Sequence, residues 1–211
     1  MALLLVWTWV KEKIMPLGAF KAALMGTAGV STASVVLLST QTASGDASIE
    51  FTSGINSTYG EYIFKLYTIN PDADYKFFFQ FNADGESGYN ESMTTTSWSS
   101  YQRQNGVDPG VSYYTGQDQA NGTSDQYWSM GIGGGADECA AGELHLFNPS
   151  STTYATQFTS LSQGYVPHSS SDYTVASYNS GYINTTAAIT NVKFYVESGN
   201  FDGKIKMWGV K

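Results

Sequence analysis

The stretch Tyr75–Asn82 (YKFFFQFN) sets four aromatic rings at alternate positions: Tyr75, Phe77, Phe79 and Phe81. A helix would scatter these rings around its circumference, whereas a strand lines them up on one face. The same period governs Ala47–Ser53, with Ile49 and Phe51 on one face. It also governs Tyr59–Ile69, where Tyr62, Phe64, Leu66 and Thr68 oppose Ile63, Lys65, Tyr67 and Ile69. Further strands are expected at Val35–Ser39, Met93–Tyr101, Val111–Tyr114, Tyr127–Ile132, Glu143–Asn148, Tyr154–Leu161, Tyr173–Tyr178, Tyr182–Thr185, Val192–Glu197 and Lys204–Val210. Turn residues separate them: Asn70-Pro71-Asp72, a hairpin-type turn at Asn82–Gly85, and Ser198-Gly199-Asn200 between the last two. About a dozen strands at such spacing, with no helix of crossover length between them, describe an antiparallel sandwich or barrel. The fold expected is all-β: an antiparallel β-sandwich of jelly-roll type over 45–211, with an extended, partly helical N-terminal assembly arm over 1–44.

The arm is apolar in two stretches. Met1–Val10 (MALLLVWTWV) precedes Lys11-Glu12-Lys13, and a second stretch runs from Ile14 to Leu38. A secretory signal carries its positive charge before the apolar region, and here it follows. Pro16, Gly18, Lys21, Gly26 and Gly29 argue against a membrane span across the second stretch. Pro16–Met25 reads as a short helix, with Pro16 at its first position, Gly26 at its stop, and Leu17, Phe20 and Leu24 on one face. Leu4, Trp7, Trp9, Leu17, Phe20 and Leu24 are the side chains expected to pack on another subunit.

Charge narrows the function classes. The net charge is −8 over 211 residues, and charged residues are only 13% of the chain, so the surface relies on Ser, Thr, Asn, Gly and Tyr. Between Phe77 and Val192 the only Lys or Arg is Arg103. Such a surface repels phosphate and excludes nucleic acid as a partner. One cysteine, Cys139, excludes an intramolecular disulfide, and the two acids near it leave no cation to activate a thiolate.

No catalytic constellation stands out. Gly131–Asp137 superficially resembles a dinucleotide loop, but no helix follows to receive a phosphate. Asp137, Glu138 and Glu143 have no spacing that demands sugar hydrolysis. Asp137 and Glu138 are the acids that could hold a calcium ion, the one cofactor considered. Asn82–Glu86 has the alternating oxygens of an EF-hand loop but lacks its sixth-position glycine and twelfth-position acid, and reads as a turn. His145, in a strand, and His168, in a Ser-rich loop, read as structural. Sequons at Asn56, Asn90, Asn121 and Asn184 are not read as glycosylated. The recognition candidates are Tyr101, Tyr113, Tyr114, Tyr127 and Trp128, aromatics set among polar, Gly-rich residues in the manner of groups that contact sugars or partner proteins.

Four segments together resemble small structural proteins of marine tailed bacteriophages: Met15–Gly26, Gly54–Phe64, Gly142–Ser151 and Ser198–Gly209. The C-terminal pattern of strand, Ser-Gly-Asn turn, strand and aromatic-Gly is also similar to the ends of phage fibre-type domains. The resemblance implies a non-enzymatic protein on the virion exterior, in a tail fibre or a head decoration. It implies other virion proteins as partners, a homotrimer, and a host surface glycan as ligand if the position is the tail. It supplies no catalytic residues. A carbohydrate-binding lectin-like module and a subunit of an extracellular filament are the competing readings.

Overall fold

The computed structural model describes residues 34–211. The assembly-arm residues Leu4, Trp7, Trp9, Leu17, Phe20 and Leu24, and the helix expected at 16–25, lie outside them. In chain order the strands are β1 (Val35–Asp46), β2 (Ser48–Phe51), β3 (Glu61–Pro71), β4 (Tyr75–Ala83) and β5 (Met93–Arg103). Then come β6 (Gly110–Tyr113), β7 (Ala120–Gly122), β8 (Gln126–Ile132), β9 (Ala140–Phe147) and β10 (Gln157–Val166). The chain closes with β11 (Tyr173–Ile183), β12 (Ile189–Val196) and β13 (Phe201–Val210). The only helix among the described residues is the single 3-10 turn Thr115–Gln117. No helix of the described part is long and apolar enough to cross a membrane.

Two antiparallel sheets pack face to face as a β-sandwich. The larger runs β1-β13-β3-β9-β10-β11-β5-β6, with β7 beside β5; the smaller runs β2-β12-β4-β8. Period two becomes burial directly. On β3, Tyr62, Phe64 and Leu66 are buried while Ile63 and Lys65 face out. Rings meet edge-on across the layers: Phe51 with Phe64 at 5.2 Å, Phe77 with Phe201 at 4.9 Å, and Phe79 with Phe158 at 5.4 Å. Each fully buried ring of this kind contributes about 1.5–3 kcal/mol of transfer free energy.

Three expectations need correction. The sheet begins at Val35, because β1 runs its whole length along β13, so residues 35–44 belong to the sandwich and not to the arm. Val192–Glu197 and the final strand do not form a hairpin. β12 pairs with β2 and β4 in the small sheet, whereas β13 pairs with β1 and β3 in the large one. The turn between them carries the chain from one layer to the other. There Gly199 adopts φ +71°, and Asp72 accepts from the Asn200 N–H at 3.1 Å. Likewise Asn82–Gly85 sends the chain from the small sheet to the large one.

Beyond β9 the large sheet continues past the smaller one as a wing made of β10, β11, β5, β6 and β7. β8 packs under β10 and β11 and covers part of the wing's inner face. At one end of that face Met93, Phe158 and Ile183 join the apolar core, and the rest is polar: Ser97, Ser99, Ser160, Ser162, Ser177 and Asn179 are all buried.

Candidate functional site

The outer face of the large sheet is covered by no other element of the described part, and cross-strand register sorts its side chains into rows. One row reads Thr40, Lys206, Lys65, Glu143, Leu161, Tyr178, Trp98, Tyr113 from β1 to β6. The row changes character along its length. Lysines and a carboxylate occupy the sandwich half, with Lys65 Nζ 3.7 Å from Glu143. Apolar and aromatic groups occupy the wing, where Leu161, Trp98 and Tyr113 are all exposed.

Trp98 and Tyr178 are directly opposed on β5 and β11, and their rings stack with centroids 4.0 Å apart and planes 8° from parallel. Two strands away, His145 on β9 is gripped from both sides. Its Nδ1 lies 2.5 Å from Glu61 Oε1, and its Nε2 lies 3.1 Å from Glu143 Oε1. Between these two groups lies a hollow of ≈ 330 Å³, with Thr159, Leu161 and Ser180 along it.

The structure divides the five aromatics singled out in the sequence among four places. Tyr101 and Tyr114 do come together. With Tyr173, Met130 and Val166 they line a cleft of ≈ 310 Å³ at the tip of the wing's inner side, with Asp108 at its margin. Tyr101 and Tyr173 meet edge-on at 5.8 Å, and the Arg103 guanidinium lies 4.6 Å from the Tyr173 ring centroid. Tyr113 is on the opposite face, beside Trp98, and its hydroxyl donates to Asp118 at 2.5 Å. Tyr127 packs on Phe78 at 4.8 Å with Lys76 above its ring, on the outer side of the small sheet. Trp128 corrects the expectation of a surface group: it is fully buried, edge-on to Phe77, and its indole N–H donates to the Glu143 carbonyl at 3.4 Å.

The glycine loop gives Asp137 and Glu138, the acids considered for calcium, different surroundings. Glu138 turns back on its own backbone, accepting from the Gly135 N–H at 2.8 Å, while Asp137 is exposed. Asn70 ties the loop down by donating to the carbonyls of Gly135 and Glu138. Gly134 is required there because a Cβ would fall 2.4 Å from the Ala73 backbone. Among the described residues no group of three or more His, Cys, Asp or Glu side chains is placed to hold a metal ion. His168 sits in an exposed loop whose backbone is capped by Asp172. The Tyr165 hydroxyl also donates to Asp172, which holds that carboxyl below its ordinary range and the phenol above its own.

Trp98, Tyr178 and the Glu61–His145–Glu143 clamp escaped sequence reasoning as a group. Alternation along Met93–Tyr101 puts Trp98 on one face, but only the register of β9, β10, β11 and β5 brings it opposite Tyr178 and within three strands of His145. Comparison with protein-family models, with curated proteins and with solved structures finds no match to this chain.

Proposed function

We propose that this chain is a non-enzymatic structural protein of the exterior of a tailed-phage virion, a head decoration or tail fibre subunit. Its β-sandwich is of jelly-roll type, and it assembles with other virion proteins, as a homotrimer, through its N-terminal segment and the sheet edge that follows it. The strand pairing supports the fold type. β1 pairs with β13, β2 with β12, β3 with β9 and β4 with β8, so the first four sandwich strands meet the last four in reverse order. Alternate pairs fall in opposite sheets, as they do when one long hairpin is rolled up. β5–β7 and β10–β11 are then insertions into that plan.

The observation that carries the assembly role is β1. It is a twelve-residue edge strand that pairs on one side only, with β13, among the described residues. It exposes Val35 and Leu37 and continues directly from the apolar segment before it. Long apolar edges invite pairing with another chain, and native proteins keep them only where something covers them.

Deleting residues 1–34 tests the role without cutting into β1. The shortened chain should stay folded, with an unchanged melting temperature, and run as a monomer in light scattering where the full chain is a trimer. It should also fail to join particles. A shortened chain that still trimerises and incorporates normally overturns the reading.

A further inference from the structure

The hollow on the wing's outer face has two unlike walls. One is aromatic, formed by the Trp98–Tyr178 stack. The other is polar, formed by Glu143 and His145, with the imidazole held between Glu61 and Glu143. Thr159 and Ser180 place hydroxyls between the walls.

We infer that this hollow is a binding subsite for a neutral hexose unit of a glycan. A pyranose ring has an apolar C–H face and a rim of hydroxyl groups. The aromatic wall suits the face, since a flat ring gives contact area at little conformational cost. The carboxylate suits the rim. Glu143 Oε1 engages His145, but Oε2 lies 3.7 Å from Lys65, beyond hydrogen-bond reach, and keeps its lone pairs for sugar hydroxyls. The clamp on His145 and the Lys65 contact fix where that carboxylate stands before any ligand arrives. Neutrality follows from the charges around the hollow. Lys65 already faces Glu143, and no lysine or arginine lines the hollow to hold a sulfate or a uronate. The net charge of −8 adds a general repulsion of anionic polymers. The hollow lies across the large sheet from β1, so the inference stands apart from the assembly role.

Native affinity electrophoresis of the full chain, through gels containing dextran, mannan or galactan, tests it, with dextran sulfate as the charged comparison. At least one neutral polymer should retard the protein, and dextran sulfate should not. Trp98→Ala and Glu143→Gln should each weaken the retardation about tenfold or more, the loss expected at a central contact. Trp98→Phe, which keeps a stacking face, should retain most of it. Tyr154→Ala, at an exposed ring outside the hollow, should change nothing. If Trp98→Ala does not fold, Glu143→Gln carries the test, because Glu143 is partly solvent-exposed. Absence of retardation by all three neutral polymers overturns the assignment, as does equal retardation of Trp98→Ala and the unaltered protein. Retardation lost in Tyr114→Ala but kept in Trp98→Ala also overturns it, by moving the ligand to the tyrosine cleft. Deleting residues 1–34 should leave the retardation intact, so failure here and failure of the assembly role are separable.

Discussion

In the sandwich half, Phe79 meets Phe81, Phe194 and, from the near end of β10, Phe158, with centroids 5.4–6.5 Å apart, and every one of these rings is buried. In the wing, Asn179 occupies a comparably buried place and is held by hydrogen bonds. Its carbonyl accepts from Ser97 Oγ at 2.8 Å and Gln126 Nε2 at 3.3 Å, and its amide donates to Ser160 Oγ at 3.0 Å. Four buried hydroxyls around the wing and its approach, on Ser99, Thr156, Ser162 and Ser177, have no hydrogen-bond partner among the described residues. One half is therefore held by apolar burial and the other by strand ladders plus a hydrogen-bonded seam. Apolar burial stabilises by about 25 cal/mol per Å². A net hydrogen bond contributes only about 0.5–1.5 kcal/mol, and an unmade buried one detracts. The wing is thus the weaker part, and it is also the part that carries the aromatic hollow and the tyrosine cleft. Binding surfaces are commonly drawn from the less stable parts of a fold.

The largest expected effect is in the sandwich. Phe79→Ala removes a ring enclosed on all sides and should cost about 3–5 kcal/mol in denaturant unfolding. A loss below about 1 kcal/mol would mean that the aromatic core is not what holds this half together.

Alkaline pH should act on the same half. Burial raises the Tyr89 phenol to about 12, helped by the Glu50 carboxylate that accepts a hydrogen bond from its O–H at 3.1 Å. Burial also raises Tyr62 and Tyr195, the latter with Asp125 beside it. These raised groups favour the folded state fully below the ordinary tyrosine value near 10. That preference is lost as pH climbs from there through about 12. The melting temperature should therefore fall steeply over that window, with Tyr89→Phe flattening part of the fall. A flat profile would show that these phenols ionise as freely folded as unfolded.

Smaller effects should separate the two kinds of wing serine neighbour. Asn179→Ala removes the acceptor of the Ser97 hydroxyl, one acceptor of the Gln126 amide and the donor to Ser160, and should cost about 1–3 kcal/mol, with faster amide exchange in β5, β10 and β11 while β3 and β13 stay protected. Ser177→Ala removes a hydroxyl that has no partner among the described residues and should be neutral or slightly stabilising. Equal losses in the two variants would mean that the seam is not a specific network and would erase the contrast between the halves.

Much of the sandwich was legible in the chain. Alternation located nearly every strand, because a pleated backbone turns successive side chains to opposite faces whatever lies around it. The Ser-Gly-Asn turn was equally legible, since the φ +71° of Gly199 favours a residue without a Cβ. The wing was harder to read. Serines at 97, 99, 160, 162 and 177 look like solvent-facing residues, and only long-range placement, with β8 beneath β10 and β11, buries them. Tyr173–Tyr178 and Tyr182–Thr185, expected as two strands, are one continuous strand over most of their span, because β5 and β10 pair across the polar residues between them.

Alternation determined which side chains share a face, and composition determined the net negative charge. Both are properties of neighbouring residues and summed charge, and neither needs a partner strand. Tertiary structure decided which face is inside, which sheet each turn leads to, and which aromatic stays in water. Trp128 and Trp98 stand in similar polar, Tyr-flanked contexts, yet one is sealed against Phe77 and the other stacks on Tyr178 in the open. The difference lies in long-range register. β8 turns Trp128 toward the layer between the sheets, while β5, paired with β11, turns Trp98 away from it. A strand's own sequence cannot state that choice, because both of its faces are equally available until another sheet covers one of them.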